Sequence, residues 1–360
     1  MNSVPNDLAL APLGAGDLID RAVRLYRRHF TTLIRIAAPP VLVSAAGSMI
    51  LTIAVRELNA TSSELNVVLY FLLMLLGLLI IAAGSLFSLI VMGGATRNLV
   101  AHLLWDEAVS FRTTYRAVKS RFGGLLWASV IVGLWLLLSS SVASVGFMIL
   151  WFVAIFAVAF GSLISPWITT LAFVVASVVA IAVALVLFFL LAGRMAYVPQ
   201  AMLVEGRSVG SAISRSFSLA SGNVKRLMAM TLFTLFATYS ALTLLIIPLG
   251  FVAWVYGVDI SFFGGQAPTW YSIGYQVILQ CSHILLAPIW MLGLSLLYVD
   301  ERVRHEGYDI ELMAARQLPE MPSLPGVVSP FAPALVTGHA PKFVAPPPQP
   351  LQTGTVLGLS

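Results

Sequence analysis

Charge is scarce in this chain. Of 360 residues only 10% are Asp, Glu, Lys or Arg, while 59% are hydrophobic. A water-soluble domain carries about 25% charged residues with about 45–50% apolar ones, so this sequence cannot clothe itself in a soluble surface. The mean hydropathy of +0.95 fits a chain solvated mostly by lipid. Cysteine is nearly absent. Cys281 is the single one, which excludes an intramolecular disulfide and a cysteine metal cluster. Catalytic signatures are missing too. The sequence holds no G-x-x-x-x-G-K-[ST] phosphate loop, no G-x-S-x-G elbow and no H-E-x-x-H helix. ATP-driven transport by this chain alone and the corresponding hydrolase chemistries are therefore not expected. No cofactor is implied. A secretory leader is not expected either, because the first strong apolar run starts near Leu33, behind a basic segment and without a cleavage pattern. The first helix then reads as an uncleaved anchor.

Long apolar runs are what the sequence does have. A helix needs about 20 residues to cross the hydrocarbon core. The expected fold class is an all-α integral membrane protein with about six transmembrane helices, at 33–55, 67–92, 124–158, 167–192, 227–256 and 273–298. The stretch 123–193 has no charged residue. It could hold two long spans, two with a re-entrant piece, or three short ones. Basic clusters flank it: Arg97, Arg112, Arg116, Lys119 and Arg121 before, Arg194, Arg207, Arg215, Lys225 and Arg226 after. Basic loops face the cytoplasm, so an even number of crossings is required, with the break near 161–166. Six spans place both termini in the cytoplasm and leave only Arg56 of the 20 basic residues on the far side. The net charge of +5 then reflects this asymmetry and attraction to anionic lipid headgroups, not nucleic-acid binding.

Each pair of spans follows a basic amphipathic segment. The first covers 17–30, with Leu18, Ile19, Ala22, Leu25, Tyr26 and Phe30 on one face. The second covers 110–122, with Phe111, Tyr115, Val118 and Phe122 as its stripe. The third covers 208–227, with Val209, Ala212, Ile213 and Leu219. Such helices lie in the interface with Arg and Lys toward headgroups. The expected headgroup-facing residues are Arg21, Arg24, Arg27, Arg28, Arg112, Arg116, Lys119, Arg121, Lys225 and Arg226. The units recur about every 90 to 100 residues, which suggests three repeats of interfacial helix plus transmembrane hairpin. The membrane domain so defined spans 17–316, after a flexible N-terminus at 1–16. The last 44 residues, 317–360, hold ten of the 19 prolines. That composition predicts a disordered cytoplasmic tail, a plain extension or a ligand for a protein partner.

Within the spans, His283 is the one ionisable residue near mid-span, and Gln276 and Gln280 share its helical face. Intramembrane polar groups are functional candidates, and bonding between helices is the competing reading. No acidic residue lies at matching depth to complete a proton relay. The charged segment 298–312 reads as a salt-bridged surface helix, with Asp300–Arg304 and Arg302–Glu306 as i, i+4 pairs and Gly307 as its stop. His305 with Glu301 would be the start of a metal site, but no further ligands are evident, so no metal is expected.

Three segments together resemble a known family. The opening PLGAGDLIDRAVRLYRRHFTTLIRIAAPP, the central AYVPQAMLVEGRSVGSAISRSFSLASGNVKRL and the closing LLYVDERVRHEGYDIEL look like the bacterial glycerophosphoryl diester phosphodiesterase membrane-domain family. The matching residues are Glu205, Gly206, Ala212, Arg215, Ser216 and Leu219, then Asp300, Arg302, Arg304, Glu306, Gly307 and Asp309. The resemblance covers about 12–313 and implies a bacterial cytoplasmic membrane. Members with a soluble catalytic barrel carry a His-Arg-Gly motif, which is absent here, so catalysis does not carry over. The leading expectation is a non-enzymatic scaffold or partner-binding protein in envelope or lipid metabolism. The alternative is a transporter or lipid-handling protein. An enzyme acting on headgroups, with carboxylates from Asp106, Glu107, Glu205 and the 300–309 segment, ranks last.

Overall fold

The computed structural model describes residues 14–105, 108–161, 165–258 and 268–307. Ten α-helices run through them, and no strand is present among the described residues. Three short helices alternate with three long hairpins. Helix α1 (Ala15–Arg28) precedes α2 (Phe30–Ala60) and α3 (Glu64–Trp105). Helix α4 (Phe111–Ser120) precedes α5 (Phe122–Gly161) and α6 (Pro166–Ala192). A 3-10 turn (Gly193–Met195) and α7 (Val198–Val204) lead to α8 (Val209–Leu219), which precedes α9 (Val224–Val255) and α10 (Thr269–Glu306). The expected triple pattern is therefore present. Six helices are long and apolar enough to cross a membrane, and the chain is an all-α multi-pass membrane protein. The expected readings of 1–13, of Asp106, Glu107 and Asp309, and of the tail 317–360 lie outside the described residues.

Most of the six helices extend past the apolar runs that announce them. α3 continues from Met92 to Trp105, and α10 from Tyr298 to Glu306. Backbone hydrogen bonds keep forming wherever no breaker intervenes, so lipid thickness does not end a helix. α10 stops at Gly307, whose φ of 64° is the left-handed cap that glycine adopts without strain.

Small residues set the tightest hairpin. A Cβ on Gly47 would sit 2.7 Å from the Ile81 amide nitrogen and 2.8 Å from the Gly77 carbonyl oxygen. Backbones of α2 and α3 thus meet directly, the packing that substitutes for a hydrophobic drive between helices in lipid. Along the spans, side chains such as Leu171 and Leu244 are 66% and 70% exposed, as expected for a surface that faces acyl chains.

The buried core lies toward one end, where α1, α4, α7 and α8 join the long helices. Leu18, Ala22, Ile36, Val91, Tyr197, Leu297 and Tyr298 belong to it, and every residue of α7 is buried. Prolines shape this end. Pro40 has no N–H for the Ile36 carbonyl, and the Tyr115 hydroxyl of α4 donates to that oxygen at 3.0 Å. Near Pro288, the Tyr26 hydroxyl of α1 donates to the Leu285 carbonyl at 2.6 Å. Two of the three amphipathic helices, α1 and α4, thus dock a tyrosine onto a proline-containing span.

Candidate functional sites

Two polar regions stand out, and they differ in kind. The first is a charge cluster at the basic end. Glu205 follows α7, and its side chain is only 5% exposed. It accepts hydrogen bonds from the Tyr298 hydroxyl at 2.8 Å, from Arg215 Nε at 3.0 Å and from Arg207 Nε at 2.6 Å. Arg302 Nε lies 3.9 Å from Glu205 and donates to Glu306 at 3.1 Å. Arg215 also pairs with Glu306. Beside them Arg226 bridges Asp300 and Glu301, Arg304 donates to Asp300 at 2.8 Å, and Asn223 donates to the Tyr197 hydroxyl. Burial pushes the Glu205 carboxyl up, but Arg302, the hydrogen bonds from Arg207 and Tyr298, and the Arg215 charge together hold it below its ordinary value. For Arg215 burial acts downward, and the Glu205 and Glu306 carboxylates more than reverse it. The cluster contains many acids, but each is turned toward cations of the same chain. That is a structural clasp, with the carboxylates committed to holding helices together.

Two expectations are corrected here. The 298–312 segment is not a surface helix where it is described: Asp300, Glu301 and Arg302 are 3%, 1% and 1% exposed. Its i, i+4 pairs do form, but inside the protein. Arg226 does not face headgroups; it is half-buried between two acids of α10. Arg121 is exposed but donates to the Gly206 carbonyl at 2.8 Å, so it also ties α4 to the turn after α7. Arg24, Arg27, Arg28, Arg112, Arg116, Lys119 and Lys225 are exposed and Arg21 is partly so; Arg24 pairs with Asp20 at 3.2 Å. Sequence reasoning missed Tyr197, Asn223 and Tyr298 as members of the clasp. Its one signal was complementary charge in two distant motifs, Glu205 and Arg215 against Arg302 and Glu306.

The second region is an intramembrane groove of about 800 Å³ between the hairpins. α2 contributes Pro40, Val41 and Ser44; α3 contributes Ala82, Ser85, Leu86, Ser88 and Leu89; α5 contributes Gly133, Leu134, Leu137 and Ser140. Phe188 of α6 and Gln280 and His283 of α10 complete it. The wall is mostly apolar, with four serines, one amide and one imidazole. The structure separates the three expected polar residues of α10. Gln276 donates to Thr52 Oγ1 at 2.7 Å and Gln280 to Ser48 Oγ at 2.8 Å, so both bond α2. His283 forms no hydrogen bond with another described residue and opens into the groove. Sequence reasoning found His283 and missed the serines, which are ordinary in membrane helices and gain meaning only when four of them meet. Among the described residues no three His, Cys, Asp or Glu side chains converge on a metal position. No family model, curated protein or solved structure matches the chain.

Proposed function

We propose that the protein is a non-enzymatic lipid-handling membrane protein that binds an amphipathic molecule in the groove between its hairpins. The observation that carries this reading is the groove itself. Its size lies within the range of about 300–1,000 Å³ typical of small-molecule sites, and such sites are mostly apolar with a few placed polar groups. The apolar wall of Leu86, Leu134, Leu137 and Phe188 suits an acyl chain. His283, Gln280 and the serines offer hydrogen bonds to an ester, hydroxyl or phosphate near its head. A scaffold would need no such opening, which is why lipid handling comes ahead of it. An enzyme acting on headgroups is disfavoured because Glu205, Asp300 and Glu301 are engaged by arginines. Cytoplasmic termini, a bacterial cytoplasmic membrane and kinship with the glycerophosphoryl diester phosphodiesterase membrane domains are part of this reading. They rest on the placement of basic residues and on the motifs around Glu205 and Asp300.

The test is photo-crosslinking of the full chain in bilayer nanodiscs with a phospholipid that carries a diazirine on its acyl chain. Labelling should concentrate on Leu134, Leu137 and Phe188. A Ser140→Trp variant, which fills the groove, should lose those adducts and keep its thermal stability. Labelling no stronger there than at the outward-facing Leu171 and Leu244 would refute a bound ligand.

A further inference from the structure

A second opening lies at the basic end, away from the groove. It is a crevice of about 400 Å³ between the end of α6 and the start of α9. Phe189, Leu190 and Leu227 form its apolar wall, and Arg194, Ser221 and Asn223 its polar rim. Apolar and polar walls thus meet inside one pocket, at the point where the charge-free α6 gives way to Arg194 in the 3-10 turn.

Three features of the rim point to a ligand. Arg194 is exposed, and no described carboxylate pairs with it, in contrast to Arg207, Arg215, Arg226, Arg302 and Arg304 of the nearby clasp. Its position is nevertheless fixed. The guanidinium lies 5.8 Å from the centre of the Phe217 ring, and its backbone carbonyl accepts the Ser216 hydroxyl at 2.8 Å. Asn223 is 2% exposed and lines the crevice, yet its side-chain oxygen has no hydrogen-bond partner. A buried acceptor left unmade costs about 1–3 kcal/mol, so a donor supplied from outside would be favoured. Finally, Asn223 caps α9: the amides of Arg226 and Leu227 both return to its carbonyl at 3.1 Å. The amides of Val224 and Lys225 precede them, and first-turn amides have no acceptor within their own helix. They add positive potential to the Arg194 side of the pocket.

We propose that this crevice binds the headgroup of an anionic phospholipid bearing free hydroxyls, with the phosphate on Arg194 and a headgroup hydroxyl donating to Asn223. Basic pockets between transmembrane helices suit such headgroups. The acyl chains would run down Phe189, Leu190 and Leu227, which distinguishes a lipid from a free phosphate ester. The site is independent of the groove that carries the proposed function.

The experiment compares lipid retention by native mass spectrometry of the full chain from nanodiscs containing phosphatidylglycerol with phosphatidylcholine. Wild-type protein should retain phosphatidylglycerol at least tenfold over phosphatidylcholine. Arg194→Ala should abolish that preference, Arg194→Lys should keep part of it, and Arg35→Ala, which removes the same charge from an exposed position on α2, should leave it intact. Ala220→Trp, which narrows the crevice, should act like Arg194→Ala. Glycerol 1-phosphate at millimolar concentration should not displace the lipid. Equal loss in Arg35→Ala would reduce the effect to general surface charge and overturn the site. Displacement by glycerol 1-phosphate would overturn the lipid assignment in favour of a soluble phosphate ester. Loss of groove crosslinking with retention unchanged would sink the proposed function and leave this site standing.

Discussion

The clasp at the basic end and the groove between the hairpins are both polar regions in an apolar protein, yet they treat their polar groups in opposite ways. In the clasp, Glu205 alone receives three hydrogen bonds, and its neighbours Asp300, Glu301 and Glu306 each meet an arginine. In the groove, His283 meets no described partner, and four serines line the open space, Ser85 with its hydroxyl also donating to the Ile81 carbonyl of its own helix. Buried charge without a partner destabilises a fold severely, whereas an imidazole beside a cavity is cheap while neutral. The carboxylates that serve stability each meet a cation within the chain, whereas His283 does not and is a candidate for binding something else.

The largest expected effect lies in the clasp. Glu205→Ala removes the acid shared by Arg215, Arg302 and Tyr298, and breaking one side of a buried pair costs about 3–5 kcal/mol. Thermal unfolding in detergent should show a large loss, and Arg302→Met in the same chain should restore part of it. Full stability in Glu205→Ala would erase the contrast between the two regions.

Acid should act on the same place. The folded Glu205 pKa lies below its ordinary value of 4.5. A depressed folded pKa contributes stability that is complete above the unfolded pKa and is lost as pH falls through the folded one. The Glu205 contribution should be level above about pH 5 and fall in acid, while Glu301, whose carboxyl is pushed up by burial, acts in the opposite direction. The acid fall in melting temperature should therefore be smaller in Glu205→Gln than in the wild type. An acid fall of the same size in Glu205→Gln and the wild type would contradict the role of Glu205 in the clasp.

Tyr115→Phe is a smaller probe, because it leaves the Ile36 carbonyl next to Pro40 without its donor. The expected loss is about 1 kcal/mol, as for a single hydrogen bond. Burial raises the Tyr115 pKa to about 12, so the phenol stays protonated as a donor, and the loss should not vary between pH 6 and pH 9 on this argument. The smallest changes belong to α10. Gln280→Leu should cost about 0.6 kcal/mol, the average of interhelical hydrogen bonds in membranes, and His283→Leu should cost less still while changing what the groove holds. A large destabilisation by His283→Leu would make that residue structural and remove the contrast from the other side.

Much of the architecture was legible in the chain before folding. Apolar runs are local and periodic, and each needs only its own residues and the thickness of a bilayer to declare itself. The amphipathic stripes of α1, α4 and α8 were readable for the same reason. The face shared by Gln276, Gln280 and His283 followed from helical spacing. Their separate fates did not, because Thr52 and Ser48 lie more than 200 residues away in sequence.

The sequence by itself determined the membrane class, the six apolar helices, the thrice-repeated pattern and the glycine that ends α10. Those properties depend on composition and on contacts within a few residues. Only the tertiary structure decided that Arg226 turns inward to Asp300 and Glu301, that the end of α10 is buried, and that Glu205 sits between Arg215 and Arg302. It also decided that four serines and His283 share one groove. A charge does not carry the identity of its partner, and a small polar side chain does not carry the shape of the space beside it. Both are fixed only when distant helices pack.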